Sequence, residues 1–90
     1  MKILILGSGL MGPAAAFNAI ADPNISQVVL CDASQQQLEA GLQKLVGNPN
    51  AHKLGIVRLD LHNQTAAAEL IGKFDAVVDA MDKAMADVLG

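Results

Sequence analysis

Three glycines near the start of the chain have a spacing that suits phosphate chemistry. Gly7-Ser8-Gly9-Leu10-Met11-Gly12 has the form GxGxxG. The motif follows an apolar run and opens a segment with helical character, and that context gives the spacing its meaning. Gly7 permits the tight turn out of a strand. Gly9 has no Cβ, so the backbone can approach a pyrophosphate. Gly12 lets the helix pack closely on the sheet. The first turn of that helix offers N–H groups with no intrahelical acceptor, and the positive end of its dipole, to an anion. Pro13 is tolerated there because a first-turn N–H has no acceptor to lose. Ala14, Ala15 and Ala16 keep the helix slim against the sheet. The competing reading is a glycine-rich turn that only connects two elements.

A carboxylate stands at the matching distance. Asp32 lies twenty positions past Gly12 and directly after the run Gln27–Cys31. That is the place of the acid that accepts hydrogen bonds from the adenosine ribose hydroxyls. A carboxylate there repels the extra phosphate of NADP. No Arg or Lys follows at Ala33, Ser34 or Gln35 to receive one. These residues therefore predict NAD in preference to NADP. Asp32 as the N-cap of the next helix is the alternative, although Ser34 already suits that role.

Other candidates are weaker. Asp60-Leu61 follows the third apolar run, where an acid can accept from the adenine amino group with the Leu61 backbone helping; a loop aspartate starting a turn reads equally well. Ala80 ends the fourth run, where backbone groups lie near the cofactor's ribose-phosphate. Asp79, one place earlier, is costly to bury unless paired. His52 and His62 lie in loops without a metal-ligand pattern such as HExxH, and solvated histidines are the expectation. Cys31 ends a buried strand with no CxxC partner and reads as a small core residue. No nucleophile–base pair is evident.

The elements that must position these residues are four strands and the helices between them. Lys2–Leu6, Gln27–Cys31, Gly55–Leu59 and Asp75–Ala80 are short, apolar and do not alternate, as strands buried on both faces do. The first helix is predicted from about Leu10 to Ala21, stopped by Asp22-Pro23-Asn24. The second runs from about Gln35 to Val46, with Leu38, Leu42, Leu45 and Val46 on one face. Ser34 and Gln37 form a capping box, and Gly47 is its stop. The third runs from about Gln64 to Ile71, between Asn63 and Gly72. A last helix over Asp82–Leu89 would line up Met81, Met85 and Leu89. Strand–helix alternation implies right-handed crossovers and a parallel sheet. The predicted fold is α/β: half of a doubly wound, Rossmann-type domain with flanking helices and strand order 3-2-1-4.

Composition bounds the rest. The chain has 90 residues, 52% hydrophobic and 17% charged, with a net charge of -3 and a pI near 5.0. One globular domain is expected over residues 1–90, truncated from a longer enzyme. The charge argues against nucleic acid or an anionic membrane as partner. Two phenylalanines are the only aromatic residues, which disfavours base stacking. A lone cysteine and the absence of a signal-like N-terminal segment make a cytoplasmic location the default. A fourth strand at the sheet edge, with apolar Ala76-Val77-Val78, predicts a homodimer through that edge.

MKILILGSGLMGPAAAFNAIADPNISQVVLCD, followed by VRLDLHN and FDAVVDAM, resembles the N-terminal part of the saccharopine dehydrogenase group, nearest to its lysine 6-dehydrogenase-like members. The resemblance covers residues 1 to about 81. It implies a parent enzyme that oxidises or reduces a carbon–nitrogen bond of an amino acid with a nicotinamide cofactor. It also implies cofactor-binding roles for Gly7, Gly9, Gly12, Asp32, Asp60 and Leu61. The family's Asn-Ala at the end of the fourth strand is here Asp79-Ala80, and the following loop is Asp82-Lys83-Ala84. The family's substrate-binding and catalytic residues lie beyond residue 90, so the chain alone is expected to bind cofactor without catalysis. Two alternatives share the glycine loop: a regulatory NAD-sensing module of the potassium-transport gating type, and a half-Rossmann fragment with no retained activity.

Overall fold

The computed structural model describes residues 1–9, 11–60 and 62–80. The elements are β1 (Lys2–Leu6), α1 (Met11–Ile20), β2 (Gln27–Asp32), α2 (Gln35–Lys44), β3 (Leu54–Arg58), α3 (Gln64–Ile71) and β4 (Ala76–Asp79), with one 3-10 turn at Ala51–Lys53. The four strands form one parallel sheet in the order β3-β2-β1-β4, as the alternation predicts. The fold is of the Rossmann type.

Alternation along the strands divides the core. Ile3, Ile5, Val28 and Leu30 face one side, where they pack with Ala16 and Ile20 of α1 and Leu38 of α2. Leu4, Val29 and Cys31 face the other side, joined by Leu70 at the end of α3 and by Phe74. Two crossovers thus cover one face and the third covers the other. β1 and β2 are buried along most of their length. Burial of their large aliphatic side chains contributes about 1.5–3 kcal/mol each.

Helix ends follow the capping chemistry. Ser34 Oγ accepts from the Gln37 N–H at 3.3 Å and opens α2. Asn63 Oδ1 accepts from the Ala66 N–H at 3.2 Å and opens α3. At α2 the expected end, Val46, is two residues too late. The N–H groups of Leu45 and Val46 bond to the carbonyls three residues back, and Gly47 at φ +89 turns the chain away. Leu45 stays buried while Val46 is exposed.

Two further expectations are corrected. β3 starts and ends one residue earlier than the apolar run suggests, because Leu54 pairs with Val28 and Arg58 with Asp32. The fourth strand is not buried on both faces: Val77 and Val78 are exposed, since β4 lies at the edge of the described sheet. The expected helix over 82–89, with Met81, lies outside the described residues, as do Leu10 and Leu61.

Candidate dinucleotide-binding site

A parallel sheet delivers all its strand ends to one edge. Gly7 follows β1, Asp32 ends β2, Asp60 follows β3 and Ala80 follows β4. The helices after β1 and β2 pack on one face and α3 on the other, so the chain's path reverses between β1 and β4. Ligands of open α/β sheets bind outside the strand ends at such a reversal.

The glycine loop is built from the end of β1 outward. The Gly7 N–H donates to the Cys31 carbonyl at 2.7 Å, one step past the paired strands. Gly7 then turns the chain at φ +97, a conformation that disfavours a side chain. A Cβ on Gly12 would lie 2.2 Å from the Gly7 carbonyl oxygen and 3.6 Å from Leu30 Cδ2. Gly12 therefore closes the loop on itself as well as on the sheet. Gly9 is different: it is exposed, and among the described residues a Cβ there would meet nothing within 4 Å. Packing does not demand glycine at that position. The space beside its backbone is open at the start of α1, as a cradle for a pyrophosphate requires.

Asp32 is not the cap of α2, which is Ser34. Its Oδ2 accepts the Ser8 N–H and its Oδ1 the Ser34 N–H, both at 2.9 Å. The carboxylate thus braces the glycine loop against the β2–α2 loop. Each oxygen retains a lone pair for a further donor. Ser8, buried, completes the brace by donating its hydroxyl to the Gln37 carbonyl at 3.0 Å. Gly41 of α2 makes room for it: a Cβ there would stand 2.6 Å from Ser8 Oγ, 3.2 Å from Leu30 Cδ1 and 3.3 Å from Pro13 Cγ. The role of Gly41 escapes the motif, although a lone glycine inside a helical pattern signals a close approach.

At the end of β3, Asp60 is exposed. Its Oδ1 accepts the His62 N–H at 2.9 Å and its carbonyl the Asn63 N–H at 3.0 Å, so it does start a turn. Ala80 is buried, and its N–H donates to the Leu6 carbonyl at 2.8 Å. Asp79 is exposed rather than buried. Arg58, not among the residues singled out from the sequence, donates from Nε to the Ala33 carbonyl just past the end of β2, at 3.2 Å.

Cys31 and the two histidines are the remaining candidates. Cys31 is fully buried, and burial, then the charge of Asp32, pushes its thiol above the usual 9.0. A thiol held neutral is a poor nucleophile. His52 and His62 are exposed. Among the described residues no three His, Cys, Asp or Glu gather to hold a metal, and no helix is long and apolar enough to cross a membrane.

The fold is shared with apo histidine-tagged saccharopine dehydrogenase (L-Glu forming) from Saccharomyces cerevisiae. That match has a TM-score of 0.71 at 17% identity and covers 92% of this chain and 17% of that one. Residues 3–88 match the family model of the saccharopine dehydrogenase NADP-binding domain. This match overturns the expectation of NAD over NADP. The residues that directly follow Asp32 carry no cation, whereas the sheet brings Arg58 to the same edge from the neighbouring strand. With nearly the full sequence inside the match, the chain belongs to the saccharopine dehydrogenase NADP-binding domain family.

Proposed function

We propose that the chain is the NADP(H)-binding domain of an oxidoreductase that acts on a carbon–nitrogen bond of an amino acid. The observation that carries the reading is the open space at Gly9, at the start of α1, beside a loop that Gly7, Gly12 and Asp32 hold in shape. The family match supports the cofactor and the sheet supports the place.

In this reading the segment Gly7, Ser8, Gly9, Leu10, Met11 and Gly12 surrounds the pyrophosphate. Asp32 takes the adenosine ribose, of which NADP leaves the 3′-hydroxyl free to donate. Asp60 and Leu61 border the adenine, and the Ala80 backbone lies toward the other ribose-phosphate. Bound nicotinamide supplies hydride transfer; the residues named here bind and orient and move no proton. The chain spans 17% of the length of the yeast enzyme it resembles. Substrate recognition and catalysis are therefore assigned to other parts of a longer parent, and the chain by itself binds without turnover. The family match favours this over a potassium-transport gating module.

Titration calorimetry with NADPH tests the proposal. Saturable one-site binding is expected. No heat and no thermal stabilisation at millimolar cofactor would refute it.

A further inference from the structure

An acid at the end of β2 and an NADP-binding family make an electrostatic puzzle. A ribose 2′-phosphate needs a cation beside it, and the β2–α2 loop carries none. Most described cations are elsewhere. Lys2 opens β1, Lys53 precedes β3 and Lys73 precedes β4, all at the opposite edge of the sheet. Lys44 closes α2 as the chain returns toward the start of β3.

Arg58 is the exception. It is the last residue of β3 and pairs in register with Asp32, so it stands at the edge where the adenosine end of a dinucleotide belongs. Its side chain is exposed and reaches the Ala33 carbonyl just past the end of β2, 3.2 Å from Nε. That bond anchors the guanidinium at the β2–α2 loop. A guanidinium has five donors in one plane, and the Nε bond uses one; the Nη groups carry the rest. A planar fork of this kind matches a phosphate, and Arg holds its charge at every relevant pH.

We infer that Arg58 reads the 2′-phosphate of NADP(H), reaching it from the neighbouring strand rather than from the loop after β2. The inference rests on the cofactor-binding reading above. Asp32 opposes it less than its charge suggests. Both of its oxygens accept backbone N–H groups, and the positive ends of the Ser8 and Ser34 amide dipoles offset part of its field. The positive end of the α2 dipole adds to the field at the same loop.

The test compares this chain with Arg58→Gln and Arg58→Lys, titrated with NADPH, NADH, 2′,5′-ADP and 5′-AMP. Circular dichroism checks that each variant is folded. Arg58→Gln is expected to lose about tenfold or more in affinity for NADPH and 2′,5′-ADP, with NADH and 5′-AMP within about twofold of the parent. Arg58→Lys, which keeps the charge without the fork, is expected to fall between. Equal losses for all four ligands would overturn the inference, because Arg58 would then act only by holding the Ala33 loop. Unchanged NADPH affinity in Arg58→Gln would overturn it too, and would leave the cofactor-binding reading standing. A parent chain that binds no NADPH would sink that reading and this one with it.

Discussion

Gly9→Ala separates the binding role of the glycine loop from its packing role. A Cβ at Gly9 meets no atom of the described residues within 4 Å, and Gly9 is not in the left-handed region. The folded state therefore accepts the methyl without strain, and the unfolded chain loses freedom. The expected change in unfolding free energy runs from nothing to about 1 kcal/mol of stabilisation. Binding should move the other way. The methyl occupies the space through which a pyrophosphate approaches the backbone. Losing one charge-assisted N–H bond costs roughly 1.5–3 kcal/mol, or tenfold and more in affinity. Gly12→Ala is the contrast. Its Cβ would sit 2.2 Å from the Gly7 oxygen, and both partners are backbone, so neither can rotate away. Overpacking of that kind costs about 3 kcal/mol or more, and binding fails with the fold. Urea unfolding and NADPH calorimetry on the two variants give the comparison. A Gly9→Ala protein that binds NADPH as tightly as the parent would refute the placement of the pyrophosphate. One that unfolds easily would refute the reading of open space.

Gly41→Ala should destabilise the chain by about 1–3 kcal/mol in urea, although alanine is the better helix former by about 1 kcal/mol, because the new Cβ meets Ser8 Oγ at 2.6 Å; a stabilised variant would show that the Ser8 contact yields freely. Cys31 gives a pH dependence. Burial raises its pKa in the folded state above the usual 9.0, so the neutral thiol's contribution to stability is fully present below that value and is lost as pH rises through the folded pKa. Urea midpoints should therefore fall more steeply above pH 9.0 in the parent than in Cys31→Val, and parallel curves would contradict the assignment. Val77 and Val78 on the β4 edge predict antiparallel pairing of two copies about a two-fold axis, and a purely monomeric species by sedimentation velocity at high concentration would exclude it.

How much of this was legible beforehand depends on how local each signal is. The glycine motif, the strand–helix alternation, the caps Ser34 and Asn63 and the place of Asp32 are short-range patterns, and the observed elements follow them. Strand order was legible as well, because right-handed crossovers leave few topologies for such an alternation. The ends of α2 and β3 were not, since they depend on which carbonyls and which partner residues are in reach. The expectation of NAD over NADP was overturned by the family match. The residues directly after Asp32 carry no cation, and Arg58 reaches that loop from a strand residue twenty-six positions later.

From the sequence alone came the class of the fold, the glycine loop and the family resemblance, because each rests on residues that interact with near neighbours. Tertiary structure alone decided that Asp32 braces Ser8 and Ser34, that Gly41 exists to admit Ser8, that Gly9 is free of packing and that Arg58 leans over Ala33. The physical reason is register. In a parallel sheet each residue's lateral neighbour lies a whole crossover away along the chain, and the pairing that sets it comes from the packing of all four strands together.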